Sequence, residues 1–425
     1  MRWNQWYRLK SYFRSALWIV PFIALVLENV AIRLVFRLHE WLGWVPRWFG
    51  ATPAGTSEAL NTVVTLSISF IVFSFGSLLV AIQVASGQLT PRIIATTLLR
   101  NNVIRFTVGL FTFTMLFSVG TGARLDSSMT HPAIAISWAL GVASIAAFLF
   151  LIDYTARLLR PVSILSRIGE QGVKVIESVF PDLVEAPRPR RTPSVPGAST
   201  RVVEHRGTSA VVLAANVDAL VALARGAEGV IAFVPRVGDF VATGEPLYRL
   251  YGNAAQIDDR KLRAQVAFGP ERTIEQDSTF AFRVIVDIGI KALSPAINDP
   301  STAVMAIDQL HRLLSLVGRR HLHEDARLDA NGALRLIFQT PEWDDFVQLA
   351  VSEIRLYGAS NFQVSRRLHA MIENLLESLP ENRHPALRRE LDLLDRALPK
   401  LHEFAEDLDL ARKADFQGLG GSSKR

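Results

Sequence analysis

The run DIGIKALSPAINDPST, residues Asp287 to Thr302, holds a helix stop, a tight polar turn and a helix start. Upstream, Phe282, Ile285, Ile288 and Leu293 recur at helical spacing, which predicts a helix over Phe280–Leu293. Arg283, Asp287 and Lys291 stand four residues apart and share one face of it, as a ladder of alternating charge. Pro295 ends this helix, because the residue before a proline is pushed out of the α region. Asn298 and Asp299 supply turn and cap chemistry, and Pro300 suits a first helical position, where its missing N–H costs nothing. The next helix runs from Ser301 and Thr302 through Met305, Ile307, Leu310, Leu313, Leu314 and Val317. Two readings stand. Either these residues are turn and cap architecture, or Arg283, Asp287, Lys291, Asn298 and Asp299 form a polar site where helix-start N–H groups receive an anion.

The longer run RTIEQDSTFAFRVIVDIGIKALSPAINDPSTAV, Arg272 to Val304, resembles the hallmark of domain of unknown function 2254, a family of predicted bacterial membrane proteins. VASGQLTPRI, Val84 to Ile93, and VGDFVATGEPL, Val237 to Leu247, are similar to two further stretches of that family, in the same order. The resemblance implies a membrane architecture. It implies no reaction.

A chain of 425 residues has room for two or three domains. Its 49% hydrophobic content is high for a water-soluble protein, and the excess lies in the first 160 residues, with seven of the eight Trp. The absence of cysteine excludes disulfides, thiolate metal sites and a cysteine nucleophile. A net charge of +6 is modest, and the basic residues sit beside apolar segments, which suits an anionic leaflet rather than nucleic acid. No cofactor is expected.

Four apolar segments, Ser15–Phe36, Leu60–Ala85, Val103–Thr121 and Pro132–Ile152, are each near the roughly 20 residues that cross a bilayer. The first is read as a retained span rather than a signal peptide. Arg2, Arg8, Lys10 and Arg14 precede it, with Trp3, Trp6 and Tyr7 as expected interfacial anchors, and Arg157, Arg160 and Arg167 follow the last. The positive-inside rule then places both termini in the cytoplasm of a bacterial inner membrane. Trp41, Trp44 and Trp48 make one aromatic face of an interfacial segment. In the second span Thr62, Ser69, Gly76 and Gln83 recur every seven residues, and Ser67, Ser74 and Ala81 form a second stripe. Small and polar residues on two faces predict close packing on both, or one face lining a pathway at a subunit interface. Glu28 is the acidic group at depth in the first span, and either joins such a pathway, pairs with Arg33, or sits near the interface with Asn29.

The expected fold is an α+β membrane protein. A four-span transmembrane domain, 1–160, is followed by an amphipathic helix and Pro/Arg linker, 161–200. A small β-rich unit resembling a barrel-sandwich occupies 201–252, and a mainly helical cytoplasmic domain 253–415, before a disordered tail, 416–425. The β unit has no lysine between Arg201 and Arg260, which excludes a carrier of a covalently attached cofactor. Asn331-Gly332 predicts a hairpin over Arg327–Phe338, and one last helix is expected over His384–Leu410. His321, His323, Glu324 and Asp325 cluster in sequence but read as a solvated loop. No P-loop, HExxH or GxSxG is present, so no enzyme class is indicated. The functional expectation is an oligomeric channel or transporter-like protein regulated by its cytoplasmic domain. The alternative is a non-conducting scaffold or signalling protein. The expected partners are the lipid bilayer, further copies of the chain, and a cytoplasmic protein or small-molecule ligand.

Overall fold

The computed structural model describes residues 3–16, 18–42, 53–88, 101–124, 131–158, 160–184, 197–322 and 325–420. The chain divides into two compact units. One comprises residues 12–87 and 91–163, and the other residues 1–11, 88–90 and 164–425.

The first, membrane unit is built from α2 (Ile19–Leu42), α3 (Pro53–Gln88), α4 (Asn102–Gly122) and α5 (His131–Leu158). All four are long and apolar enough to cross a bilayer, over Ile19–Leu38, Gly55–Val84, Asn102–Gly122 and Pro132–Leu158. Helix α2 turns Phe22, Val26 and Val30 outward and approaches α4 at two glycines. A Cβ built on Gly109 would lie 2.6 Å from Cγ1 of Val20, and one on Gly120 2.6 Å from Cδ1 of Ile32. Small residues at such contacts let backbones close up where lipid gives helices no hydrophobic reason to associate. On α3 the buried positions Leu60, Val63, Ser67, Phe70, Ser74, Leu78 and Ala81 are spaced three or four apart, a single packed seam. Phe70 lies 5.4 Å from the Phe111 ring of α4 and 4.2 Å from the Phe148 ring of α5, and these side chains fill the bundle interior.

The second, mixed unit begins with the first turns of α1 (Trp3–Ser15) and resumes with α6 (Pro161–Val179). Its strands are β1 (Arg201–Glu204), β2 (Ala210–Ala215), β3 (Val230–Phe233), β4 (Phe240–Val241), β5 (Pro246–Tyr251), β6 (Val266–Gly269), β7 (Ala326–Leu328) and β8 (Leu334–Ile337). They form a five-stranded sheet, β1-β5-β3-β8-β7, and a three-stranded sheet, β4-β2-β6. All pairings are antiparallel except β3 with β8. The β unit expected over 201–252 is therefore not self-contained, because both sheets recruit strands from beyond it. Its core of Val203, Ile231, Leu247 and Leu250 closes only with Leu262, Val266 and Leu336. Helix α7 (Val217–Gly226) covers one sheet, and α8 (Asp259–Arg263) precedes β6.

The helical layer follows: α9 (Phe280–Ala292), α10 (Pro300–Gly318), α11 (Trp343–Gly358), α12 (Phe362–Ser378), α13 (His384–Ala397) and α14 (Ala405–Arg412). Ile285, Ile307, Leu310, Val347, Ile354 and Leu368 are all fully buried in it. The single last helix expected over His384–Leu410 is two, because Pro399 sits in a 3₁₀ turn, Leu398–Lys400, between them. Helix α6, expected as an amphipathic helix ahead of the Pro/Arg linker, buries its apolar face in this layer. Gly172 brings it so near α9 that a Cβ there would lie 2.9 Å from Cβ of Ala281. The tail expected to be disordered from residue 416 is held as far as Gly420. Arg366, buried, donates to the carbonyls of Lys413 at 2.9 Å and Gly420 at 2.7 Å, while Asp415 accepts the amides of Gln417, Gly418 and Gly420.

Helix α1 also differs from its reading as an interfacial anchor. Trp3 and Tyr7, stacked at 5.4 Å, pack on Leu213, Ala214 and Ala267 of the three-stranded sheet, and the Asn4 amide donates to the Ala264 carbonyl at 3.2 Å. Trp6 alone of the three aromatics is exposed. Of the aromatic face expected on Trp41, Trp44 and Trp48, the last two lie outside the described residues, as do 89–93 of the Val84–Ile93 stretch, residues 185–196 of the linker, His323 and Glu324.

Candidate functional site

The α9–α10 corner is assembled from the residues that the sequence picks out. Asn298 sits at φ 49°, in the left-handed region that asparagine tolerates better than most residues. Asp299 caps α10, its Oδ1 accepting the Thr302 amide at 3.1 Å and its Oδ2 the Thr302 hydroxyl at 2.5 Å, and Pro300 takes the first helical position. The Asp299 amide donates to the Ala292 carbonyl at 2.8 Å, which closes the corner on α9. The cap thus occupies the helix start that an anion would need. Asn298 is exposed and its side chain makes no hydrogen bond among the described residues.

Arg283 and Asp287 meet as their spacing predicts, with Nε donating to Oδ1 at 2.7 Å. Arg283 also reaches α11, donating from Nη1 and Nη2 to the two oxygens of Glu353 at 2.5 and 3.0 Å. Burial alone would lower the guanidinium, but the bonds to Glu353 and Asp287 outweigh it and raise its pKa. Lys291 stands exposed a turn further on. The charge ladder therefore works as a tie between α9 and α11.

The membrane candidates do not share a face. Ser69, Gly76 and Gln83 lie on the exposed side of α3, and a Cβ on Gly76 would meet nothing within 4 Å. The hydroxyls of Thr62 and Ser69 on that stripe donate to the carbonyls of Glu58 and Thr65, one turn back. The other stripe, Ser67, Ser74 and Ala81, is the packed one. Glu28 is instead 8% exposed and turned into the α2–α4 contact, where Oε1 would lie 2.9 Å from a Cβ on Gly120 and Nη1 of Arg124 3.9 Å from it. Glu28 thus neighbours Arg124 rather than joining the α3 stripe.

A cavity of about 390 Å³ in the mixed unit is not apparent from the sequence. Its apolar wall includes Trp3, Leu220, Phe233, Leu336 and Phe338, and its polar wall Gln276, Asp277, Ser278, Arg236 and Arg327. Asp277 opens α9. Its Oδ1 accepts the amides of Thr279 and Phe280 at 3.0 and 3.1 Å and the Thr279 hydroxyl at 2.6 Å. Its Oδ2 is buried with no hydrogen-bond partner, and Nη1 of Arg272 stands 3.8 Å away. Burial pushes this carboxyl above its ordinary range, against the pull of the Thr279 bonds and of Arg272. Gly238, at φ 97°, passes so close that a Cβ there would collide with Oδ2. Two stretches with family resemblance, VGDFVATGEPL and the Arg272–Val304 run, thus meet at Gly238 and Asp277. Arg236 is engaged with Gln339 and Asp345, both at 3.2 Å. Arg327 lies over the Phe338 ring at 5.6 Å, its pKa lowered by burial against the opposing charges of Asp218 and Asp182. Among the described residues, no group of three or more His, Asp or Glu is placed to hold a metal.

The local signal for Asp277 is a run of cap residues, Asp277-Ser278-Thr279, before the apolar face of α9. That Gly238, Trp3 and Arg327 would join it depends on pairings between distant segments, which no local pattern encodes.

Four apolar spans joined to a mixed α/β unit define a multi-span membrane protein. Residues 14–374 match the family model described as predicted membrane protein, DUF2254, and the chain belongs to that family. It is 27% identical over 419 residues to uncharacterized proteins of Mycobacterium tuberculosis and Mycobacterium bovis, covering 94% of this chain and 79% of each relative. No solved structure matches it.

Proposed function

We propose that the protein is an oligomeric channel- or transporter-like protein of a bacterial plasma membrane, with both termini cytoplasmic and the mixed unit as its regulator. The observation that carries this reading is the exposed stripe of Ser69, Gly76 and Gln83 on α3, beside a bundle interior filled by Phe70, Phe111 and Phe148. A pathway then runs between copies rather than through one, with α3 toward a shared axis. The sidedness is supported by α1 and residues 164–425 sharing one compact unit across an even number of spans, and by the basic residues that flank the first and last span.

The chain has no cysteine, so Ser69→Cys, Gly76→Cys and Gln83→Cys are each a single-thiol variant. Disulfide cross-linking of all three in native membranes, with ion flux from liposomes blocked by thiol reagents at Gly76→Cys, is the expected result. A monomeric mass in nanodiscs together with the absence of cross-links would overturn the reading. The scaffold alternative is favoured by Leu356 and Tyr357, which stand 70% and 61% exposed at the end of α11 as an apolar pair open to a partner protein. It predicts that Leu356→Asp abolishes partner capture and leaves liposomes unaffected.

A further inference from the structure

The cavity of the mixed unit is lined by two side chains whose open polar groups have no partner. Ser278 is 3% exposed, lines the cavity, and makes no hydrogen bond among the described residues. Protein atoms do not seal its Oγ, so the small surface this residue keeps opens at the cavity. The fold does not need that hydroxyl. Asp277 alone accepts the Thr279 and Phe280 amides that start α9, at 3.0 and 3.1 Å. A buried hydroxyl left unpaired is costly, which points to something in the cavity that pairs with it. Gln276 is the second group. Its Oε1 accepts the Ala215 amide at 3.1 Å, and because that amide only donates, the contact fixes which end of the carboxamide is nitrogen. The two N–H bonds of Nε2 are left over, unsealed and unpaired among the described residues, on a residue that lines the cavity.

The Ala215 contact also sets Gln276 beside the start of α7. Asn216 caps that ten-residue helix by accepting the Ala219 amide at 3.2 Å, which leaves the Val217 and Asp218 amides as unbonded first-turn donors. Asn216, Val217 and Asp218 all line the cavity. The helix dipole and these N–H groups favour negative charge there. The cations of the wall are Arg236, shared with Gln339 and Asp345, and Arg327, which lies over the Phe338 ring. Of its acids, Asp218 is exposed, and Asp277 has its second oxygen closed against Gly238, 3.8 Å from Nη1 of Arg272. The open groups are therefore donors, and their complement is an acceptor. Trp3, Phe233 and Phe338 give an apolar wall for the rest of a ligand, and about 390 Å³ lies within the range of small-molecule pockets. We propose that this cavity binds a small carboxylate with an apolar body, its oxygens received by Oγ of Ser278 and Nε2 of Gln276 at the start of α7. The site gives the mixed unit a ligand and stands whether or not the spans conduct.

The test uses the full chain in nanodiscs, with benzoate as probe and benzamide as its neutral match in shape, read by saturation-transfer NMR against empty nanodiscs. Benzoate is expected to bind saturably and about tenfold more tightly than benzamide, since charge-assisted hydrogen bonds are the stronger. Ser278→Ala should weaken benzoate binding about fivefold, the loss of one hydrogen bond, with no change in melting temperature. Gln276→Glu keeps an oxygen for the Ala215 amide and replaces the two donors with a carboxylate, so it should lose benzoate and bind benzylamine instead. No saturable binding of benzoate, equal binding of benzoate and benzamide, or an unchanged benzoate affinity in either variant overturns the site. Should Gln276→Glu fail to fold, Ser278→Ala decides on its own. Flux is not measured, so failure of conduction and failure of this site are read separately.

Discussion

Replacing Asn298 separates a corner that is architecture from a corner that binds. Its backbone stands at φ 49°, and its exposed side chain makes no hydrogen bond among the described residues. An L residue there carries about 1–2 kcal/mol of strain, which Asn partly escapes and Gly does not feel. Gly brings its own cost of about 0.5–1 kcal/mol in chain entropy. For Asn298→Gly the two nearly cancel, and stability should change by less than about 0.5 kcal/mol. Asn298→Ala keeps the strain without asparagine's tolerance and should lose about 1 kcal/mol. The assay is the labelling rate of a thiol at Ala306→Cys, buried in α10 just past the corner, in a chain with no other cysteine. Labelling requires local opening, so a loss of about 1 kcal/mol raises the rate about fivefold. Equal acceleration of labelling by the Gly and Ala variants would show that left-handed strain at position 298 is not what separates them. A binding role for Asn298 predicts the same stability for the Gly variant but a loss of activity.

Asp299→Ala, by removing the α10 cap, should cost about 1 kcal/mol and speed labelling of the same thiol to a similar degree. Arg283→Met, Glu353→Gln and the double variant form a cycle whose coupling should be about 1–2 kcal/mol by denaturant titration, since the pair is bidentate but Glu353 is 44% exposed. Gly109→Ala and Gly120→Ala push a methyl into Val20 and Ile32 and should each cost about 1–3 kcal/mol in detergent unfolding, whereas Gly76→Ala should leave an isolated chain unchanged. The bonds from Arg283 hold the Glu353 carboxyl below the usual glutamate range. With a folded pKa under the unfolded one, its contribution is complete above the unfolded value and lost as pH falls through the folded value. An acid titration of stability should therefore be shallower in Glu353→Gln, and an unchanged slope would refute that assignment.

The parts of this fold that can be read in advance are those whose causes lie close together in the chain. Pro295, Asn298, Asp299 and Pro300 act within a few residues of themselves, so the α9–α10 corner follows from them. The spans follow from length and apolarity, though the packed side of α3 needs Phe111 and Phe148 to define it. What resists local reading is pairing at a distance. Strand β3 lies parallel to β8, about a hundred residues away, and that pairing sets Phe233 beside Phe338 in the cavity wall. The aromatic face of α1 was ambiguous for a different reason: Trp3 and Tyr7 suit a lipid interface and a sheet surface alike, and composition cannot rank the two. Asp277 resembles an ordinary cap until Gly238 is seen against its second oxygen.

The packing of α1 on β2 and β6 also sets an order of events during synthesis. Trp3 and Tyr7 are made well before Ala267, part of the surface that receives them, which is translated about 260 residues later. At about 5–20 residues per second the helix waits roughly 10–50 s, while all four spans enter the bilayer. Through that interval its apolar face lacks the sheet surface it packs on in the folded chain. A nascent chain arrested before residue 260 should therefore expose α1 to chaperones or to the membrane surface, and release past Ala267 should withdraw it.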